Sequence, residues 1–158
     1  MSIRLSAMFR GTTFLFVFVS VGAIHAQAQF SIRAASVEPV DGWQQMQVEH
    51  CRSSCVVWVS PIPALTASDI AKAQPDTSST GQARVAVVFT DAGAKHFADL
   101  TTAQLRKHIA MILDGKVIWA PIFMGEFDAD VGKEGILAAS GPQGLTREEV
   151  QRIIALVK

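Results

Sequence analysis

"LDGKVIWAPIF", residues 113–123, sets an Asp-Gly pair between two runs that are apolar almost without a break. Asp-Gly favours the left-handed backbone that a type I′ turn demands at both central positions, so the stretch predicts a β-hairpin. With Asp114-Gly115 as the loop, Leu113 pairs with Lys116 and Met111 with Ile118. One face then carries Met111, Leu113, Ile118 and Ala120, and the other Ala110, Ile112, Val117 and Trp119. Neither face is polar. Burial of each larger side chain is worth roughly 1.5–3 kcal/mol, which excludes a ribbon with one wet side. At least one face must lie on helices, and the second either enters another layer or stays open to a ligand.

Downstream, "EFDADVGKE" reads as an acidic loop and "GILAAS" as a last strand. "TREEVQRIIALVK" closes the chain as a helix, with Thr146 and Glu149 in capping-box spacing and Val150, Ile153, Ile154 and Val157 on one stripe. Upstream, "RVAVVF" (Arg84 to Phe89) predicts a buried strand. "TDAGAKHFADL" predicts a helix capped by Thr90, although Gly93 weakens its first turn. "TTAQLRKH" reads as a second short helix, "LTASDIAKAQ" as another, and "PDTSSTGQ" (Pro75 to Gln82) as a polar loop. "QFSIRAASVEPVDG" has too little periodicity to assign. The resulting order, ββαβα(α)βββα, predicts an α+β fold: a single mixed or antiparallel sheet with helices packed on it.

The first 28 residues read as a secretory signal peptide. Arg4 and Arg10 supply the positive start, Phe14 to Ile24 an apolar run of 11 residues, and Ala26-Gln27-Ala28 the small-x-small cleavage spacing. That run is short against the roughly 20 residues that span a bilayer. Residues 29–158 are therefore expected to form one exported domain, periplasmic or secreted, with no membrane span. Without the first 28 residues, 12 basic side chains face 14 acidic ones, a formal charge of −2. Such a balance gives no basic groove for nucleic acid, even though Trp43, Trp58 and Trp119 could stack on bases.

An oxidising compartment favours a disulfide between Cys51 and Cys55 in "EHCRSSCVVWV". If Gln45 to His50 and Cys55 to Ser60 are paired strands, "RSS" is the loop and the cysteines face each other across it. In one continuous strand they would stand about 13 Å apart and could not bond. Closing so short a ring is worth only about 2 kcal/mol, so pinning a hairpin is the role expected of the bond. The rival reading is a redox or metal site that uses both sulfurs beside His50; free thiols are the third.

Other chemistry is sparse. His50, His96 and His108 lack metal-site spacing, and no nucleophile elbow, phosphate loop or dinucleotide fingerprint occurs. Asp128, Asp130 and Gly132 resemble a calcium loop, but Ala139 stands where its bidentate Glu belongs. Glu148 and Glu149 fit the helix dipole better than acid–base work. No cofactor, metal or catalytic residue is expected.

Taken together, "LTASDIAKA", "VVFTDAGAKHFADLT", "LDGKVIWAPIF" and "GILAASGPQGLTREEVQRIIALV" resemble, in order and spacing, the head part of the large periplasmic domain of SecD. SecD is an accessory membrane subunit of the bacterial preprotein translocase. The likeness runs from Leu65 to Val157. Asp114-Gly115 matches the family's turn and Ala120-Pro121 the end of its motif, while Trp119 and the cysteine hairpin depart from the pattern. The resemblance implies a non-catalytic module that binds non-native polypeptide or a protein partner, with translocase components among the candidates. Trp119, Ile122 and Phe123 are the expected binding surface. The family's base domain and proton-conducting membrane helices have no counterpart in this sequence, so proton-driven pulling is not implied. A stand-alone partner or inhibitor domain and a small redox or metal protein are the competing readings.

Overall fold

The computed structural model describes residues 29–51, 55–138 and 144–157; the expected export tag, residues 1–28, lies outside them. The strands are β1 (Phe30–Ser36), β2 (Gln44–Gln47), β3 (Val56–Val59), β4 (Leu65–Thr66), β5 (Ile70–Thr77), β6 (Ala83–Phe89), β7 (His108–Leu113), β8 (Lys116–Trp119) and β9 (Glu134–Leu137). The helices are α1 (Asp91–Ala103) and α2 (Arg147–Leu156). The expected α+β class holds. Its antiparallel strands fall into two sheets where one was expected: β2-β3-β1-β7-β8, with β4 also on β1, and β5-β6-β9.

The larger sheet curls until its two edges meet. Val48, just past β2, forms a parallel bridge with Val117 of β8, and the Glu49 amide donates to the Val117 carbonyl at 2.9 Å. Ala35, Val57, Val59, Ala110, Ile112 and Val117 fill the space inside the curl. The opposite face of the same strands, with Ile32, Ile109, Met111, Leu113 and Ile118, packs against β6, β9 and both helices in a larger core. Both apolar faces of the Asp-Gly hairpin are thus internal. The first turns inward on its own sheet, and the second meets the other layer.

The hairpin itself follows the sequence, with one departure. Asp114 (φ 49°) and Gly115 (φ 82°) are both left-handed, and Leu113 pairs with Lys116 as expected. Beyond that a bulge intervenes: Ile112 pairs with Val117 but Met111 pairs with Trp119, not with Ile118. The extra residue puts Ile118 and Trp119 on one side, so Trp119 joins the larger core and Ala120 the interior of the curl.

Three further expectations change. "IAKAQPDT" is strand β5 and not a helix; only Ala67–Asp69 makes a single 3₁₀ turn before it. Seven register pairs with β6 override the helical leaning of Ala, Lys and Gln. Pro75 is tolerated because β5 is an edge strand. "TTAQLRKH" starts no new helix, since α1 runs on through Ala103. Finally "FSIRAAS", unassigned from sequence, is β1, a central strand that pairs with β3, β4 and β7.

Gly93 proves necessary and not merely tolerated. A Cβ there would stand 2.0 Å from the Asp69 carbonyl oxygen, because α1 starts directly against the 3₁₀ turn. That oxygen also accepts from the Thr90 amide at 2.9 Å. Both expected caps are present, Thr90 on the Gly93 amide and Thr146 with Glu149 as a capping box.

Candidate functional site

The site begins where β8 ends. Pro121 prevents a regular ladder, yet residues 120–123 continue alongside the approach to β7. The Ile109 amide donates to Pro121 O (3.1 Å), Phe123 N to Lys107 O (2.9 Å) and Arg106 N to Phe123 O (2.7 Å). His108 Nδ1 donates to Ala120 O at 2.8 Å, which fixes the Ala120-Pro121 motif end to β7. This histidine is therefore a structural donor.

The hydrogen bonds aim Phe123 at α1. Phe97 of that helix is the hub of an aromatic cluster, with ring centroids 5.1 Å from Phe89, 5.6 Å from Phe123 and 5.1 Å from Phe127. Tilted and edge-on pairs of this kind add about 0.5–1.5 kcal/mol each beyond area burial. Thr101, fully buried, holds the cluster's far side: its hydroxyl donates to Ala98 O and accepts from the Phe127 amide.

Between this segment, the larger sheet and β9 opens a cleft of about 140 Å³, lined by Ile32, Phe97, Ile109, Met111, Trp119, Pro121, Phe123, Ile136 and Leu137. Apart from the indole N–H of Trp119, the lining side chains are apolar, which suits the cleft to contact and desolvation. Its volume is comparable with the roughly 150 Å³ of an apolar cavity that takes up benzene, so one aromatic or branched aliphatic side chain fits. Ile122 (52% exposed), Met124 (74%) and Ile136 (47%) extend the apolar surface beside it.

Trp119 and Phe123, singled out in the sequence, line the cleft half-buried, while Ile122 points outward. Ala120-Pro121 lies at its edge, but the Asp114-Gly115 turn sits at the other end of the hairpin. There Asp114 accepts from Arg152 Nε of α2 (2.8 Å) and from the Gln29 amide (3.1 Å). The Arg152 bond, with smaller help from the Gln29 amide and the guanidinium charge, holds the Asp114 carboxyl below its ordinary value against the opposing effect of burial. Phe97, Ile136 and Leu137 escaped the sequence reading because they reach the cleft from elements far along the chain.

Cys51 and Cys55 form a disulfide, with Cα atoms 5.8 Å apart. They are not directly opposed as expected. Val48 faces Cys55, its amide donating to the Cys55 carbonyl at 2.9 Å, and Cys51 stands beyond the ladder in the loop. The metal reading loses its ligands: the sulfurs are bonded to each other and His50 Nε2 lies 2.7 Å from Glu149 Oε1. His96 pairs with Asp69 at 2.9 Å. In the acidic loop, Asp128 Oδ1 accepts from the Asp130 amide and closes a turn. Among the described residues no helix is long and apolar enough to cross a membrane.

Residues 44–144 match the model of the SecDF P1 head subdomain family. The chain is 34% identical over 95 residues to the protein translocase subunit SecDF of Thermus thermophilus, covering 60% of this chain and 12% of that protein. It is 42% identical over 57 residues to subunit SecD of Acidaminococcus fermentans, covering 36% and 14% respectively. The chain therefore spans a small fraction of these relatives. Among solved structures, a SecDF in a super-membrane-facing form superposes with a TM-score of 0.59 at 23% identity, over 82% of this chain and 18% of that one. A structure of SecDF described as a membrane component that enhances protein export gives 0.58 at 22% identity, over 82% and 61%. At these identities the likeness is one of fold.

Proposed function

Since the chain belongs to the SecDF P1 head subdomain family, we propose that it is an exported, non-catalytic module that binds non-native polypeptide, in connection with protein export. On this reading residues 1–28 are removed and residues 29–158 work as one domain in the periplasm, with translocase components as neighbours. The apolar cleft between Trp119, Phe123 and β9 is the observation that carries it. It would take one large apolar side chain of an extended chain, while Ile122 and Met124 cover the flanking residues. A defined protein partner would use the same surface. Cross-linking in cells separates the two, to many nascent precursors in the first case and to one protein in the second.

The direct test is fluorescence anisotropy of a labelled, permanently unfolded polypeptide titrated with the full chain. Binding by the unaltered protein, weakened roughly tenfold by Trp119→Ala or Phe123→Ala, is the expected result, since a truncated aromatic anchor costs more than about 1 kcal/mol. No binding by the unaltered protein would sink the proposal.

A further inference from the structure

The hairpin loop after β2 holds together more than its own strands. Four consecutive residues reach β8, α2 and the residue that precedes β3. Val48 bridges to Val117, and Glu49 donates its amide to the Val117 carbonyl at 2.9 Å, with its carboxylate 3.8 Å from Lys116. His50 lies on Glu149 of α2 at 2.7 Å, and Cys51 is bonded to Cys55. Glu149 meets this loop while its other oxygen caps α2, accepting from the Thr146 amide at 2.8 Å. The seam of the curled sheet and one side-chain contact of α2 thus both involve residues 48–51. Their path is anchored at one end by the β2–β3 ladder and at the other by the disulfide.

We infer that the Cys51–Cys55 disulfide is a redox-sensitive latch: it holds residues 48–51 against β8 and α2, and its reduction opens the seam of the curled sheet. The step is thiol–disulfide exchange with a dithiol. One dithiol sulfur attacks a protein sulfur and the S–S bond breaks. The dithiol's second sulfur then displaces the first from the protein, its two protons end on Cys51 and Cys55, and the reductant leaves as its own disulfide. Once the latch is released, residues 48–50 are held by the Val117 backbone contacts, the packing of Val48 on the inner core, the part-buried His50–Glu149 pair and the exposed Glu49–Lys116 pair, which is weak. Opening would uncover Val117 and the small-residue interior, a second apolar surface on the other face of the sheet from the cleft. The inference stands whether or not the cleft binds polypeptide.

Hydrogen exchange of the full chain, read by mass spectrometry with and without dithiothreitol, tests it. Reduction should speed exchange at Glu49 and along residues 116–119 by about tenfold or more and leave β5–β6–β9 unchanged, as a local opening does. The Cys51→Ser/Cys55→Ser variant should show the fast pattern without reductant and no response to it. Unchanged exchange at Glu49 on reduction would overturn the latch. So would equal acceleration in both sheets, or failure of the double variant to fold, since either makes the bond a general stabiliser.

Discussion

The two apolar faces of the β7–β8 hairpin meet opposite fates. On the inner face, strands of one sheet curl over their own neighbours, and the buried side chains are Ala, Val and Ile; Ala110 and Val117 are completely enclosed. On the outer face, a helix, a second sheet and an irregular segment must fit together. The side chains there are large, including three phenylalanines around Phe97, and the fit leaves a cleft. Equal hydrophobicity in sequence therefore does not mean equal availability. An open apolar surface arises where unlike elements meet, and a sheet closed on itself leaves none.

Truncation should separate the two faces most sharply. Ile112→Ala, inside the curl, is expected to cost about 2–5 kcal/mol in urea unfolding, because strands locked edge to edge cannot collapse around the void. Gly93→Ala comes next, at about 1–3 kcal/mol, since the intruded atom is backbone and α1 must lift from the 3₁₀ turn. At the cleft, Phe123→Ala should cost less, under about 2 kcal/mol, because its ring is already half in water. If Phe123→Ala proved as costly as Ile112→Ala, the contrast between sealed and open faces would be lost.

The smallest effect concerns the turn that joins the faces. Asp114 is held below its ordinary value of 3.8, so its charged form is favoured in the folded protein. Its contribution is complete above that ordinary value and disappears as the pH falls through the lower folded one. The pair is exposed and screened, so Asp114→Asn should cost no more than about 1 kcal/mol near neutrality. Unfolding midpoints of the two proteins should converge as the pH is brought below 3.8; a constant gap would mean that the carboxylate charge is irrelevant.

Local signals were legible and long-range ones were not. The caps at Thr90 and Thr146, the I′ turn at Asp114-Gly115 and the valine-rich β6 each depend on residues close in sequence, and each was read correctly. β1 was missed because its two faces are both covered. Phe30-Ser31-Ile32-Arg33 does alternate, but the pattern is short and stops at Ala34-Ala35, where Ala34 packs on one core and Ala35 enters the other. β5 was misread because its composition favours helix while its partner, β6, lies beyond a turn. Of the site, Trp119 and Phe123 were named in advance. The bulge that turns Trp119 toward the cleft, and the arrival of Ile136 and Leu137 beside it, are products of packing that no short window of sequence contains.

Arg152 and Glu149, one turn apart on α2, reach two distant places: the Asp114 turn and the His50 loop. Both places precede α2 along the chain. During synthesis, or threading through a pore from the N-terminus, the strands of the curled sheet emerge before the helix that clamps them. The sheet and its disulfide therefore emerge before either of these two contacts can form.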